Sequence, residues 1–189
     1  MGRRTIITGV PGVGKTTVID GALKKLEEEG ITYQSINFGS FMFDVASHEG
    51  KVKDRDQIRK LDRNVQKELQ RMAAKAIAAI AGNVIIDTHC SIRTTKGFLP
   101  GLPEWVLTEL KPDMLILVET DEDQILQRRL KDPTRIRDME GGKSIGEHQQ
   151  FNRMIAGAIA TQTGCMVKFV KNQDFLLDQA IQDMTESLR

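Results

Sequence analysis

The chain contains few cysteines and few aromatic residues. Its 189 residues include two cysteines, one tryptophan and one tyrosine. Cys90 and Cys165 are too few and too far apart for a disulfide framework, and they fit free thiols in a reducing compartment. A domain of this length buries enough surface to fold without a disulfide or a structural metal. We therefore expect a single domain over residues 1–189.

The sequence also lacks an excess charge and a long apolar run. Lys and Arg number 27 against 26 Asp and Glu, which leaves a net charge of +1. A generic nucleic-acid binder needs a basic surface, so this class is excluded. The apolar stretches are far shorter than the ~20 residues that span a bilayer, so no membrane partner is expected. Arg3 and Arg4 lead straight into a strand-like segment without a secretory signal, which favours the cytoplasm.

Apolar and β-branched segments alternate with stretches of helical periodicity. The predicted strands are Thr5–Thr8, Thr32–Phe38, Val84–Asp87, Met114–Glu119 and Met166–Val170. Strands that are apolar along their length, with helices between them, are typical of a parallel sheet covered on both faces. The fold class is therefore α/β. Two connections, at about 39–64 and 131–143, are longer than a simple alternation of strands and helices requires. Connections of this length are typical of functional lids.

The strongest motif lies between the first strand and the first helix. It matches the P-loop pattern, and the preceding strand and the following amphipathic helix are the setting that the pattern requires. Such a loop wraps a phosphate chain with backbone N–H groups at the positive end of a helix dipole. The candidate ATP-binding residues are Gly9, Val10, Pro11, Gly12, Val13, Gly14, Lys15, Thr16 and Thr17. Lys15 is the catalytic candidate, because its ammonium can reach the β and γ phosphates.

A magnesium site is predicted from two residues. Thr16 offers a hydroxyl, and Asp87 closes a buried strand, where P-loop proteins hold Mg²⁺ directly or through water. The alternative for Asp87 is an acid that caps a loop. His89 lies two residues further on, but it is too isolated for a metal site and is interpreted as structural or solvated.

Two groups of arginines flank the predicted cleft. Arg128, Arg129, Lys131, Arg135 and Arg137 form the larger group, opposed only by Asp132. Arginines in cis can stabilise a phosphoryl group in transfer, whereas the alternative is a solvated helix face. Arg55 and Arg59 form the smaller group, and their i, i+4 spacing places them on one face of a helix. An ordinary surface helix with mixed charge is the alternative there.

Taken together, these segments resemble the archaeal type of adenylate kinase. The matching segments follow the order of that family along most of the chain. They are Gly9–Thr17, Asn37–Gly39, Lys53–Asp56 with Arg59, Asp87–His89, Pro100–Pro103 and Arg128–Asp138. The resemblance implies a P-loop NTPase fold with a five-stranded parallel core, and Mg²⁺-dependent transfer of a phosphoryl group from ATP to AMP.

The resemblance also implies roles for individual residues and an assembly. An insertion at about 37–64 would bind AMP through Asn37, Arg55 and Arg59. A short lid at about 128–143 would close on ATP with Arg128, Arg135 and Arg137 as catalytic residues. Members of this family are commonly homotrimers. The lid lacks the long insertion and the zinc-type cysteines of the bacterial enzymes.

Three other functions remain open at this point. A P-loop kinase for another acceptor, such as a different nucleotide, a nucleoside or a cofactor precursor, would keep Lys15 and the lid arginines. A switch GTPase needs an Asn-Lys-x-Asp motif, which Lys171–Asp174 does not match. An Asp-x-x-Gly does occur at Asp138–Gly141, but polar sequence rather than a strand precedes it. The third is an assembly factor that uses nucleotide closure as a switch.

Overall fold

The computed structural model of the protein describes residues 2–58, 60–131 and 142–189, with the backbone alone at Arg55 and Asp56. Within these residues, strands and helices alternate along most of the chain. In chain order, the strands are β1 (Arg4–Thr8), β2 (Tyr33–Asn37), β3 (Asn83–Asp87), β4 (Ser91–Thr94), β5 (Gly97–Pro100), β6 (Met114–Glu119) and β7 (Met166–Lys171). The helices are α1 (Lys15–Glu28), α2 (Phe38–His48), α3 (Arg55–Ile58), α4 (Arg63–Ala78), α5 (Glu104–Leu110), α6 (Glu122–Lys131), α7 (Gly142–Thr163) and α8 (Leu177–Leu188).

Five strands form one parallel sheet in the order β2-β3-β1-β6-β7. All five predicted strands are therefore confirmed, together with the α/β fold class. β1 lies at the centre, where Ile6 is in register with Ile86 on one side and with Leu115 on the other. The carboxyl ends of the strands share one edge, so the segments that follow β1, β2 and β3 meet there.

Alternate residues of the central strands pack into two apolar layers. Ile6, Ile86 and Leu115 lie in the layer that α4 and α5 cover, whereas Ile7 and Ile116 lie in the layer beneath α1 and α8. Period-two alternation with both sides apolar is the pattern of a strand buried on both faces. This burial explains why the strands could be recognised as continuous apolar runs.

The described residues between β2 and β3 form three helices rather than one crossover helix. α2 packs on α4, and a small apolar cluster of Ala46, Val52, Ile58 and Leu69 holds this helical unit together. The unit lies beside the carboxyl edge of the sheet because α2 begins directly after β2. Asn37 caps α2, since its side-chain oxygen accepts a hydrogen bond from the Ser40 N–H at 3.0 Å.

An antiparallel hairpin formed by β4 and β5 follows β3, and the sequence did not predict it. A buried polar cluster attaches it to α7: the Ser91 hydroxyl donates to Asn152 Oδ1 at 2.6 Å, and His148 Nε2 lies 3.0 Å from the Ser91 hydroxyl oxygen. Gly101 closes the hairpin by donating its N–H to the Cys90 carbonyl at 2.8 Å. The hairpin therefore forms a fixed wall beside the loop that follows β3.

Both cysteines are buried free thiols, as the sequence predicted. Burial raises the pKa of the Cys90 thiol to about 11, so it stays protonated at neutral pH and is a poor nucleophile. The helices of the described residues include none with the length and apolar character needed to cross a membrane.

Candidate active site

The P-loop joins β1 to α1 at the centre of the carboxyl edge. Gly14 is the residue before α1 and has a φ of 84°, and a Cβ there would lie 2.5 Å from Asn172 Nδ2. A Cβ at Gly9 would lie 2.5 Å from the Val118 carbonyl oxygen. Only glycine fits these close approaches. The loop is therefore held against the ends of β6 and β7.

The N-terminus of α1 is open toward this loop. Among the described residues, no side chain caps the helix, and its first turn contains no acid. Thr16 and Thr17 are exposed in that first turn. The free N–H groups and the positive end of the helix dipole therefore face the space that the loop surrounds, which is the arrangement that binds phosphate.

Side chains from distant parts of the chain support the P-loop from behind. The Val13 carbonyl accepts hydrogen bonds from Asn172 Nδ2 at 2.8 Å and from Arg128 Nη1 at 3.1 Å. Arg129 Nε donates to the Pro11 carbonyl at 2.8 Å. Sequence reasoning did not select Asn172, which belongs to no functional motif, and it included Arg129 in the larger arginine group without a specific role.

Arg128 is a predicted catalytic residue, and it lies at the end of α6 beside the loop. Its guanidinium forms an ion pair of 2.5 Å with Asp174 and also donates to the Asn172 carbonyl at 2.9 Å. These bonds link α6, the segment after β7 and the P-loop. The structure thus brings Arg128 to the donor side of the site. Arg135 and Arg137 lie outside the described residues.

Lys15 and Asp87 meet at the centre of the site. Lys15 Nζ lies 2.7 Å from Asp87 Oδ1, and both side chains are largely buried, with 12% and 18% of their surface exposed. Asn37 Nδ2 donates to the other carboxylate oxygen of Asp87 at 3.3 Å. Asn37 and Asp87 are partners in the register of β2 and β3, so the parallel sheet itself brings them together.

A cavity of about 350 Å³ adjoins Asp87, and its lining contains no residue of α1. The helical unit, the hairpin and the loop after β3 form its walls. The residues that line it include Phe38, Met42, Ile58, Gln66, Gln70 and Pro100. Of the predicted acceptor residues, Asn37 lines this cavity. Arg55 belongs to α3, with its side chain undescribed, and Arg59 lies outside the described residues.

His89 lies where the P-loop and this cavity meet. Its Nδ1 is 3.3 Å from the Gly9 carbonyl oxygen, and the residue also lines the cavity. Burial, and to a lesser extent the nearby Lys15 ammonium, lower the pKa of His89 below its ordinary value of 6.5. The imidazole is therefore neutral at pH 7 and adds no charge to the site.

Comparisons with known proteins agree with this geometry. Residues 8–146 match the family model of an AAA domain. A crystal structure of shikimate kinase from Bacteroides thetaiotaomicron has the same fold, with a TM-score of 0.57 at 14% identity and 98% of each chain covered. The chain is thus built on a P-loop domain with helices on both faces of a parallel sheet.

The particular family follows from relatives that share the whole chain. Adenylate kinase of Methanoculleus marisnigri is 56% identical over 100% of both chains. Adenylate kinase of Methanocaldococcus jannaschii is 53% identical over 97% of both. The chain belongs to the archaeal adenylate kinase family, which confirms the resemblance identified from its motifs.

Proposed function

We propose that the protein transfers the γ-phosphoryl group of ATP reversibly to AMP and so forms two molecules of ADP. The observation that carries this proposal is the position of Lys15 and Asp87. They lie between a phosphate-binding loop on one side and a cavity of about 350 Å³ on the other. Two nucleotides bound on these two sides would bring their phosphates together at this point. The curated relatives that match the full chain are named adenylate kinase.

The chemistry needs positioning and charge stabilisation rather than a general base. An anionic oxygen of the AMP phosphate attacks the γ-phosphorus, and the bond to the bridging oxygen breaks, so ADP leaves with the electron pair. Lys15, the loop N–H groups and the α1 dipole offset the negative charge of the phosphate chain. Lys15 donates one hydrogen bond to Asp87 in the structure, which leaves two of its three N–H donors for phosphate oxygens.

The arginines complete the proposed site from two sides. Arg55, Arg59 and the Asn37 amide are assigned to the AMP phosphate. Arg135 and Arg137 are assigned to the lid over the triphosphate. Arg128 acts on the donor side, where its bond to the Val13 carbonyl positions the P-loop. Arginine suits these roles because its planar guanidinium can grip two phosphate oxygens at once.

Magnesium is proposed as the cofactor, held by Thr16 and Asp87. A hydroxyl and a carboxylate are hard oxygen donors of the kind that Mg²⁺ prefers. In the described ranges, His, Cys, Asp and Glu form no group of three or more that could hold a metal. A site with two protein oxygens is consistent with an ion that otherwise binds water and substrate phosphates. When bound, the ion would neutralise charge on the phosphate oxygens.

A homotrimeric assembly and a cytoplasmic location are also proposed. The family resemblance implies a homotrimer, and the exposed Met166 and Phe169 on edge strand β7 provide apolar surface for a contact between copies. A cytoplasmic location fits the two free thiols and the nucleotide substrates. Light scattering of the purified protein would distinguish a trimer from a monomer.

A coupled assay with Mg-ATP tests the proposed reaction. The acceptors are AMP, GMP, CMP, UMP and none. We expect rapid ADP formation with AMP. Turnover with a different monophosphate alone would assign the protein to another acceptor. Slow hydrolysis that is indifferent to every acceptor would instead indicate a nucleotide switch and would contradict the proposed reaction.

A further inference from the structure

Two glutamines of α4 line the acceptor cavity. Gln66 and Gln70 are four residues apart, so they lie on the same face of the helix. The same cavity is lined by Asp87 and His89 near the carboxyl end of β3, where the phosphates are proposed to meet. We assign the part of the cavity beside the two glutamines of α4 to the base of a bound nucleotide. This step depends on the proposed function.

The orientation of both amides is fixed by their partners. Trp105 Nε1 donates to Gln70 Oε1 at 2.9 Å. Gln66 Nε2 donates to the Leu61 carbonyl at 2.7 Å. An indole N–H can only donate and a backbone carbonyl can only accept, so neither amide can be turned over without losing its bond. Each glutamine consequently has one end that is bonded to a fixed partner and one end that has no partner among the described residues.

Trp105 is itself firmly placed. It belongs to α5, which packs along α4, and its ring lies against the apolar layer on that face of the sheet. Lys67 Nζ lies 4.7 Å from the centre of the ring on the other side. The indole N–H is thus a rigid donor that holds Gln70 in one orientation.

The available ends form a defined pattern. Among the described residues, Gln66 Oε1 and Gln70 Nε2 have no hydrogen-bond partner, so the pair offers one acceptor and one donor. The Watson–Crick edge of adenine presents an amino donor at N6 beside an acceptor at N1. Guanine presents the reverse, an acceptor at O6 beside a donor at N1. An AMP acceptor requires Gln66 Oε1 at N6 and Gln70 Nε2 at N1, and in that order the fixed pair complements adenine and opposes guanine at both positions.

We propose that Gln66 and Gln70 determine the base specificity of the acceptor site, with Trp105 as a positioning residue. Cytosine presents the same donor and acceptor order as adenine, but its single ring covers less of the apolar wall formed by Phe38 and Met42. Uracil presents an acceptor at O4 beside a donor at N3, which is the order that guanine presents. The expected ranking of kcat/KM is AMP, then CMP, with GMP and UMP lowest.

The test removes the hydrogen bond that fixes the Gln70 amide while keeping an aromatic ring at position 105. In Trp105→Phe, the Gln70 amide is free to rotate and can offer its oxygen to guanine N1. We expect the ratio of kcat/KM for AMP over GMP to fall about tenfold, through KM and mainly through a gain by GMP, with kcat for AMP unchanged. Tyr33→Phe is the matched control. It also removes one hydrogen-bond donor from an aromatic ring, here the hydroxyl that donates to the Leu188 carbonyl.

A second variant covers the case in which Trp105→Phe does not fold. Gln70→Met keeps the length of the side chain but removes its donor, so kcat/KM for AMP should fall about tenfold while ATP binding is unchanged. The proposal is overturned if the folded variants have a ratio of kcat/KM for AMP over GMP within twofold of the wild-type ratio. It is also overturned if the unchanged protein phosphorylates GMP as well as AMP. An unchanged protein that phosphorylates no monophosphate would instead contradict the proposed function.

Discussion

The donor and acceptor sides of the site are built from different kinds of groups. The donor side is nine consecutive residues, Gly9–Thr17, whose backbone N–H groups and helix end face the phosphates. The acceptor side is a cavity lined by side chains that lie between Asn37 and Gly101 in the chain. The first is held by hydrogen bonds to its carbonyls from behind. The second is held by the packing of α2, α4 and the hairpin.

This difference separates what each side can recognise. Backbone N–H groups recognise the charge and spacing of a phosphate chain, whichever base is attached to it. Side-chain amides in fixed orientations can distinguish one base from another. Substitutions on the donor side should therefore change the use of ATP phosphates. Substitutions on the acceptor side should change which monophosphate is used.

The largest expected effect isolates the donor side. Lys15→Met should lower kcat by about a hundredfold to a thousandfold, because it removes a charge that stabilises the transferring phosphoryl group. AMP binding measured by calorimetry without ATP should stay the same. Lys24→Met is the control, since Lys24 is exposed on the same helix. A variant with near-normal kcat would show that Lys15 is not catalytic.

The next effect concerns the residue between the two sides. Asp87→Asn keeps the shape of the side chain and loses the charge. The Mg²⁺ concentration for half-maximal activity should rise about tenfold to a hundredfold. Binding of Mn²⁺ to the complex with an ATP analogue, followed by electron paramagnetic resonance, gives a readout besides activity. Asp20→Asn is the control, because Asp20 is exposed on α1. Equal Mn²⁺ affinity in the two variants would show that Asp87 is not a metal ligand.

A smaller effect tests the support behind the P-loop. Asn172→Ala removes one of the two donors to the Val13 carbonyl. The loop should lose order, and KM for ATP should rise about fivefold to tenfold, which corresponds to one lost hydrogen bond of about 1–1.5 kcal/mol. KM for AMP should not change. Lys168→Ala is the control, because Lys168 is exposed, and it should change neither KM for ATP nor KM for AMP. A rise in KM for AMP instead would contradict the statement that donor-side substitutions leave the binding of the monophosphate unchanged.

The smallest effect is on stability and concerns His89. Its pKa is lowered in the folded state, so the unfolded chain binds more protons as pH falls through the ordinary value of 6.5. The free energy of unfolding should therefore decrease as pH is lowered through 6.5, by at most about 1.4 kcal/mol per pH unit for this one group. His89→Gln should show a smaller decrease between pH 7.5 and 5.5 in urea unfolding. Identical slopes would contradict the shift.

The sequence could predict the sheet and the P-loop because their signals are local. Buried parallel strands are apolar throughout, and the loop is a contiguous motif. The hairpin at Ser91–Pro100 was missed, since its two strands have four residues each and mixed polarity. Short strands paired by tertiary contacts leave little periodicity to detect.

The acceptor cavity was only partly predictable for a different reason. Asp87 could be found because it closes an apolar strand in a P-loop protein, whereas Asn37 was identified only through the family resemblance. Gln66 and Gln70 carry no charge, and their i, i+4 spacing on a predicted helix was the only signal available. Their relation to Trp105, 35 residues beyond Gln70, depends on how α4 packs along α5. Asn172, 159 residues from Val13, is a similar case.

The central position of β1 has a consequence for folding. This strand is synthesised first, but its partners β3 and β6 begin at Asn83 and Met114. A ribosome must therefore complete more than half of the chain before β1 has neighbours on both sides. Long-range parallel pairing of this kind slows folding. We expect a fragment that ends before β6 to bind no nucleotide, and we expect activity to return only in the final phase of refolding.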